Sequence, residues 1–290
     1  MLRSTQTRAT TAPGAEGADA VRAAVALHRG PQTESRRLRQ ELRHAAEARG
    51  LTVMFQPRRA LADGALLGGE ATLCWPRSRL GATSSSTLME HLENFGMAGP
   101  VVVHALREAC GAAARWPSGL LSITVPGDWL AEGTLLGHVG VALAASGLSP
   151  ERLEVALGEP ALANDNTDTL LTLAALRDLG AGVALDGFGA ETASLLTLKR
   201  LPLTVLKLDR GLVRDLATDR NAEAVVAAAV FFAHALDAGV VACGLENEAQ
   251  RDLLRRVGCD GAQGSLCGRA VVGLSGFADQ GQRSISARLR

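Results

Sequence analysis

Short apolar runs alternate with helix-forming stretches from residue 51 to about residue 264 of this 290-residue chain. The apolar runs predict strands at 51–56, 66–75, 120–125, 152–157, 181–186, 204–208, 239–243 and 260–264. The stretches between them predict helices at 86–94, 99–115, 134–146, 165–179, 191–198, 219–237 and 246–257. Eight strands with intervening helices are typical of an α/β fold of the TIM-like (β/α)8 barrel type. A doubly wound open sheet is the alternative, although no G-x-G-x-x-G or Walker sequence follows a predicted strand.

The ends of the chain differ from this barrel region. We expect a disordered or loosely helical leader over 1–35, a helix over 36–50, the barrel over 51–274 and a basic disordered tail over 275–290. Residues 1–50 hold nine Arg and five acidic residues, a net charge of +4, and the tail holds three Arg and one Asp, a net charge of +2. Because the whole chain is neutral, the middle carries −6. The basic ends are therefore candidate contacts for a partner protein.

Composition excludes several classes of function. The 30 basic and 30 acidic residues balance, and aromatic residues are only 3% of the chain, which argues against nucleic-acid binding through phosphates or stacked bases. The longest apolar run, at 224–233, is too short to span a membrane. The five cysteines form no C-x-x-C pair, which favours a reducing, cytoplasmic location over a disulfide framework.

Polar side chains occur where the predicted strands end. In a barrel of this kind the chemistry lies at the carboxyl ends of the strands, so these side chains are candidates for a functional site. The carboxylates among them suit hard divalent cations, and they equally suit an ion pair with the nearby lysine. The residues are Glu70, Asp186, Lys207, Asp209, Glu246 and Gln263.

Seven short motifs over about 51–272 resemble, in order and spacing, those of the EAL domain, the bacterial domain that hydrolyses cyclic di-GMP. The motifs are Phe55-Gln56-Pro57, Glu70-Ala71-Thr72, Asp186-Gly187-Phe188-Gly189, Ser194-Leu195 with Leu201-Pro202, Lys207-Leu208-Asp209, Cys243-Gly244-Leu245-Glu246, and Gly258-Cys259-Asp260 with Gln263-Gly264. The resemblance implies a (β/α)8 barrel with one antiparallel strand. It also implies phosphodiester hydrolysis by a water held between two Mg²⁺ or Mn²⁺ ions.

The resemblance carries ligand-binding roles to Gln56, Glu70, Asp186, Lys207, Asp209, Glu246 and Gln263. Of these, Glu70, Asp186, Lys207 and Glu246 stand at positions of the family's catalytic site. The chain departs from the family at four positions that supply metal ligands, and at a fifth that supplies an arginine for the substrate phosphate. The four are Thr124, Ala156, Gly187 and Cys243, and the fifth is Cys74.

These replacements remove most of the oxygen donors that a pair of hard cations requires. We therefore expect no catalytic residues, no bound metal and no other cofactor, with Mg²⁺ or Mn²⁺ relevant only to a residual phosphodiesterase. Glu154 is a possible substitute donor, because it lies two residues before Ala156 on the same side of the strand. It starts about 6–7 Å lower in the barrel, however.

The leading hypothesis is a catalytically inactive EAL-like domain. It would act as a regulatory or scaffolding protein-interaction module in cyclic di-GMP-linked signalling, with a protein partner that the sequence does not identify. One alternative is a metal-independent cyclic di-GMP receptor, and a second is a weak cyclic di-GMP phosphodiesterase. A homodimer formed through the apolar stretch 222–236 is also open.

Overall fold

The computed structural model describes residues 35–47, 50–76, 85–162, 167–190 and 195–272. The chain divides into two units, Met1–Ala48 and Arg49–Arg290. Within the first unit, helix α1 covers 35–47. The predicted tail over 275–290, and all of the predicted leader except residue 35, lie outside the described residues.

The second unit contains a closed barrel of eight strands with one additional strand. Strands β2 to β8 are parallel neighbours in chain order, and β1 pairs antiparallel with both β2 and β8, so the sheet closes. This confirms the predicted (β/α)8 barrel with one antiparallel strand and excludes the open sheet. The strands are β1 Thr52–Ala60, β2 Leu66–Cys74, β3 Leu120–Thr124, β4 Leu153–Gly158, β5 Gly182–Phe188, β6 Val205–Leu208, β7 Gly239–Cys243, β8 Gly261–Gln263 and β9 Val271–Val272.

Helices connect most of the parallel strands and cover the outside of the barrel. Several begin at side chains that cap the first turn, as Asp209, Asp219 and Asn247 do. None of the described helices is long and apolar enough to cross a membrane. The helices are α2 Ser85–Asn94, α3 Ala98–Ala113, α4 Asp128–Ala131, α5 Leu135–Ser146, α6 Glu159–Leu162, α7 Thr167–Asp178, α8 Leu195–Leu198, α9 Arg210–Asp215, α10 Arg220–His234 and α11 Glu248–Arg256, with a 3₁₀ turn at Pro150–Arg152.

The main hydrophobic core lies between the outer face of the barrel and these helices. Phe55 on β1 packs edge-on against Trp116 after α3, with ring centroids 5.3 Å apart. Because side chains alternate across a strand, the neighbours of such core residues point to the inside of the barrel. On β1 those inward neighbours include Gln56 and Arg58, so part of the barrel interior is polar.

Strand β1 extends further than predicted, and β9 was not predicted. The apolar run predicted a strand over 51–56, whereas the strand continues to Ala60. Strand β9 pairs antiparallel with Met54 and Phe55 on the upper half of β1. Two residues are too few to produce a recognisable apolar run, which explains why β9 was missed.

Candidate functional site

A cleft of about 1120 Å³ opens at the carboxyl ends of the parallel strands. Six of the seven residues predicted to bind ligand line this cleft, and the seventh, Lys207, is fully buried. Thr124, Gly187 and Cys243, at three of the replaced metal positions, line it as well. The six are Gln56, Glu70, Asp186, Asp209, Glu246 and Gln263. The barrel therefore brings the predicted site residues together, although their roles in binding stay a prediction.

Lys207 connects the two central carboxylates. Its Nζ atom lies 2.9 Å from Oε1 of Glu70 and 3.1 Å from Oδ1 of Asp186. Burial alone would lower the pKa of Lys207, but Asp186 and Glu70 outweigh burial and raise the pKa above its ordinary value. The side chain is therefore an ammonium group at neutral pH. The structure thus shows the ion pair of these acids with Lys207, and their contact with a ligand stays a prediction.

The remaining oxygens of both carboxylates also have donors. Thr124 Oγ1 donates to Oδ2 of Asp186 at 2.8 Å, and Gln263 Nε2 donates to Oε2 of Glu70. Burial would raise the pKa of Asp186, yet Lys207 and the hydrogen bond from Thr124 keep it below its ordinary value. All four carboxylate oxygens thus accept hydrogen bonds or ion-pair contacts from side chains of this chain.

The replaced positions supply few donors. Ala156 is fully buried beneath the mouth, and Gly187 adopts a left-handed conformation with φ of +78°. Burial raises the pKa of the Cys243 thiol, which is therefore neutral. Among the residues that the structure describes, no three His, Cys, Asp or Glu side chains are grouped to hold a metal ion.

A second ion pair lies deeper in the barrel and was missed by the sequence analysis. Arg58 donates two hydrogen bonds to Glu154, at 3.0 and 2.7 Å, and Ser122 donates a third at 2.7 Å. These contacts outweigh burial and lower the pKa of Glu154. Glu154 is therefore held by Arg58, rather than reaching up to replace the donor missing at Ala156. The available signal was that Arg58 lies two residues after Gln56, on the same inward side of β1.

At the rim, two predicted ligand-binding residues have other contacts. Asp209 accepts a 2.6 Å hydrogen bond from the backbone N–H of Gly211 and so caps α9. The backbone N–H of Glu246 donates to Gln250 at 2.9 Å, which fixes the start of the segment leading into α11. The Glu246 side chain is more than half exposed and lies 4.0 Å from Arg210.

The lining of the cleft also includes residues of helices α2 to α4 and outward-facing residues of the first three strands. The apolar ones include Leu73, Met89, Val102 and Ile123, of which Val102 and Ile123 are almost fully buried. The acidic ones are Glu90, Glu93 and Asp128. Burial raises the pKa of Glu93, and the charges of Asp128 and Glu90 raise it further, so these three carboxylates lie close enough to repel one another.

Known proteins resemble this chain in sequence. The EAL domain family profile matches residues 39–270. The bifunctional diguanylate cyclase/cyclic di-GMP phosphodiesterase MucR of Pseudomonas aeruginosa is 33% identical over 243 residues, which cover 82% of this chain and 36% of MucR. An uncharacterized signaling protein of Caulobacter vibrioides is 33% identical over 237 residues, which cover 81% of this chain and 29% of that protein. The chain thus spans about a third of the length of these curated relatives.

Solved structures resemble the fold. The MucR phosphodiesterase in its cyclic di-GMP complex is 32% identical, with a TM-score of 0.76 over 80% of this chain and 96% of that one. The FimX EAL domain of Xanthomonas citri, in complex with cyclic di-GMP, is 21% identical, with a TM-score of 0.71 over 85% of this chain and 98% of that one, and shows the fold alone. Since the family profile covers well over half of its residues, the chain belongs to the EAL domain family.

Proposed function

We propose that this EAL domain is a non-catalytic regulatory module in cyclic di-GMP-linked signalling. The observation that carries the proposal is the position of Lys207 between Glu70 and Asp186, with Thr124 and Gln263 on their other oxygens. A divalent cation binds carboxylate oxygens directly, so it would have to displace a buried ammonium group and two further donors.

The donors present do not fit the pair of Mg²⁺ or Mn²⁺ ions that the family's hydrolysis uses. Two-metal hydrolysis requires cations that clamp both the attacking and the leaving oxygen. The replaced positions offer a hydroxyl, a methyl group, no side chain and a neutral thiol. Glu154 does not supply the missing carboxylate, because Arg58 and Ser122 hold it below the mouth. No step of hydrolysis is therefore assigned to this site.

A domain that does not turn over a substrate acts through what it binds. We propose that it is an interaction module for a protein partner, and that its barrel surface supplies the contacts. All five cysteines are free, which favours a reducing compartment such as the cytoplasm.

A metal-independent cyclic di-GMP receptor is the second candidate. The cleft of about 1120 Å³ at the barrel mouth favours it, because the cleft retains Glu70, Asp186 and Gln263 above the Lys207 ammonium. The charge of the cleft opposes it, because seven carboxylates line the cleft and Arg210 is the one basic residue among the described lining residues. Such a lining repels a ligand with two phosphates. Cys74 also removes a charge-assisted arginine contact.

Hydrolysis and binding assays on the full chain test both proposals. We expect no linear product from cyclic di-GMP with Mg²⁺ or Mn²⁺. Product that is lost in Glu70→Ala but retained in Glu132→Ala, an exposed site outside the cleft lining, would refute the non-catalytic role. Calorimetry without metal separates the remaining candidates: micromolar binding supports the receptor, and no heat at millimolar ligand supports the interaction module. Affinity capture from native cells then identifies the partner.

A further inference from the structure

Two buried polar atoms inside the barrel have no hydrogen-bond partner among the residues that the structure describes. They are Nε of Arg58 and Oε1 of Gln263, in residues that are 3% and 7% exposed. Such atoms are rare in folded proteins, because a buried donor or acceptor that makes no hydrogen bond has lost its contact with water without replacement. One of the two atoms is a donor and the other is an acceptor, so a single small molecule between them can satisfy both.

The strand register brings these two residues side by side. Arg58 and Gln263 are Cα partners on the antiparallel strands β1 and β8, and such partners lie about 4.5–5.5 Å apart. Gln263 is in turn the partner of Cys243 on β7. Burial raises the pKa of the Cys243 thiol, and the charge of Arg58 acts on that pKa in the opposite direction, which places the thiol near the guanidinium group. The three residues therefore form one rung across three neighbouring strands.

The hydrogen bonds of Gln263 and Arg58 determine which of their atoms remain available at this rung. Nε2 of Gln263 donates to Oε2 of Glu70. A carboxylate only accepts hydrogen bonds, so the amide nitrogen faces Glu70 and the amide oxygen faces away from it. Both terminal nitrogens of Arg58 donate to Glu154, which leaves the Nε–H for another acceptor.

We propose that the barrel interior holds a single water molecule at this rung, bound between Arg58, Gln263 and Cys243. The water accepts a hydrogen bond from Nε of Arg58 and donates one to Oε1 of Gln263. The thiol of Cys243, a weak donor and a weak acceptor, is its third neighbour. Buried waters typically make about three hydrogen bonds to polar groups that lack other partners, and this rung supplies that number.

Water fits this site better than an ion or an apolar molecule does. A cation is repelled by the Arg58 guanidinium group, and an anion is repelled by the amide oxygen of Gln263 and by the nearby carboxylate of Glu70. An apolar molecule satisfies neither of the two buried atoms.

The water connects the ion pair of Lys207 with the ion pair of Arg58. Gln263 donates to Glu70, and Glu70 pairs with Lys207. Arg58 pairs with Glu154. With the water between Gln263 and Arg58, these contacts form one continuous hydrogen-bonded path from the mouth of the barrel to its interior.

The site also gives Cys243 a role. This residue stands at a position that supplies a metal ligand in the EAL family, and its neutral thiol suits a water better than a hard cation. The inference does not depend on the proposed function, because a water at this depth is compatible with any activity at the mouth.

A crystal structure of the full chain, at a resolution that shows ordered water, tests the site directly. We expect one density peak within about 3.2 Å of both Nε of Arg58 and Oε1 of Gln263. A direct hydrogen bond between the two side chains, an ion in place of the water, or no density would each overturn the proposal.

Magnetic relaxation dispersion of the water oxygen counts long-lived internal waters in solution. Gln263→Met removes the acceptor and keeps the length of the side chain, so the count should be lower by one than in the unmodified chain. Gln250→Met is the matched control, because Gln250 is 2% exposed and both ends of its amide already bond to backbone groups. Its count should not change. An unchanged count in Gln263→Met would overturn the proposal.

A second variant removes the donor from the other side of the site. Arg58→Met/Glu154→Leu leaves no buried charge and keeps Gln263, and it should lose the same water. A full count in this variant would contradict the proposal even where Gln263→Met fails to fold. None of these measurements uses cyclic di-GMP, metal or catalytic activity, so their failure is distinguishable from a failure of the proposed function.

Discussion

Arg58 on β1 and Glu154 on β4 form a two-pronged ion pair across the inside of the barrel, with N···O distances of 3.0 and 2.7 Å. The two residues are 3% and 1% exposed, so water does not screen their charges. They lie on strands that are not neighbours in the sheet. The pair therefore links two strands that do not contact each other in the sheet, through the inside of the barrel.

Breaking this pair on one side should destabilise the fold more than removing it entirely. Glu154→Leu leaves the Arg58 guanidinium buried without its partner, which costs on the order of 3–5 kcal/mol. Arg58→Met/Glu154→Leu removes both charges and should recover most of that loss. Urea unfolding measures the difference, with Glu132→Leu as a control at an exposed site. Equal losses in the single and double variants would show that the charges are not coupled.

The lowered pKa values of Asp186 and Glu154 make stability depend on acid pH. Groups with a lowered folded pKa contribute stability that is present above the unfolded values, near 3.8 and 4.5, and is lost as the pH falls through the folded values. The free energy of unfolding should therefore be level from pH 7 to about 5 and decrease below about 4.5. Urea unfolding at a series of pH values tests this, and a maximum in stability below pH 4 would contradict it.

Thr124 contributes to the acid dependence through its hydrogen bond to Asp186. In Thr124→Val the folded pKa of Asp186 should rise toward its ordinary value, because that hydrogen bond is lost. The variant should be less stable at pH 7, and the part of its stability that is lost in acid should be smaller. Thr124→Ser keeps the hydroxyl group and should follow the unmodified chain. Carbon-detected NMR titration of Asp186 reports the change directly.

Restoring oxygen donors should restore metal binding. The variant Thr124→Asn/Gly187→Asp/Cys243→Glu places three oxygen donors at the mouth of the barrel, so we expect calorimetry to detect Mn²⁺ binding by the variant and none by the unmodified chain. A Cβ at Gly187 meets no atom within 4 Å, and Asp tolerates the left-handed conformation better than most residues. Ala156 is fully buried, so adding Glu there risks overpacking and belongs in a separate variant. Equal Mn²⁺ binding by the unmodified chain would refute the proposed lack of a metal site.

Replacement of glycine by alanine should have opposite effects on stability at two positions, Gly68 and Gly137. A Cβ at Gly68, where φ is +155°, would lie 2.0 Å from the backbone oxygen of Leu120, so Gly68→Ala should cost about 2–3 kcal/mol. Gly137 lies exposed within α5 with no atom within 4 Å of its added Cβ, so Gly137→Ala should stabilise by about 0.5–1 kcal/mol. Thermal unfolding of both variants checks the opposite signs. A stable Gly68→Ala variant would mean that β2 and β3 can separate at this point.

The strands with regular apolar runs were predictable, and the polar interior was not. The strand predicted over 66–75 agrees with β2 at Leu66–Cys74, because the apolar residues of this segment are bounded by turn residues on the sequence. Strand β1 was predicted too short. Without knowledge of its partner, Arg58 is expected to be exposed, so the sequence gives no reason to place it inside a buried strand. Glu154 is 96 positions away, and a single sequence contains no signal for a pairing at that distance.

The sequence predicted which residues form the candidate site, but not which contacts they make with one another. The motifs identified Glu70, Asp186 and Gln263, which the barrel brings to one cleft. The sequence did not show that Thr124, which replaces a metal ligand, donates to Asp186. Such a contact depends on the register between β3, β4 and β5, which only the folded barrel defines.

The ammonium group of Lys207 is a counter-ion that belongs to the polypeptide itself. It cannot be chelated, diluted or exchanged for another ion when the composition of the cell changes. If the proposed non-catalytic role holds, whatever enters the mouth of this barrel therefore meets the same local charge at high and at low magnesium concentration.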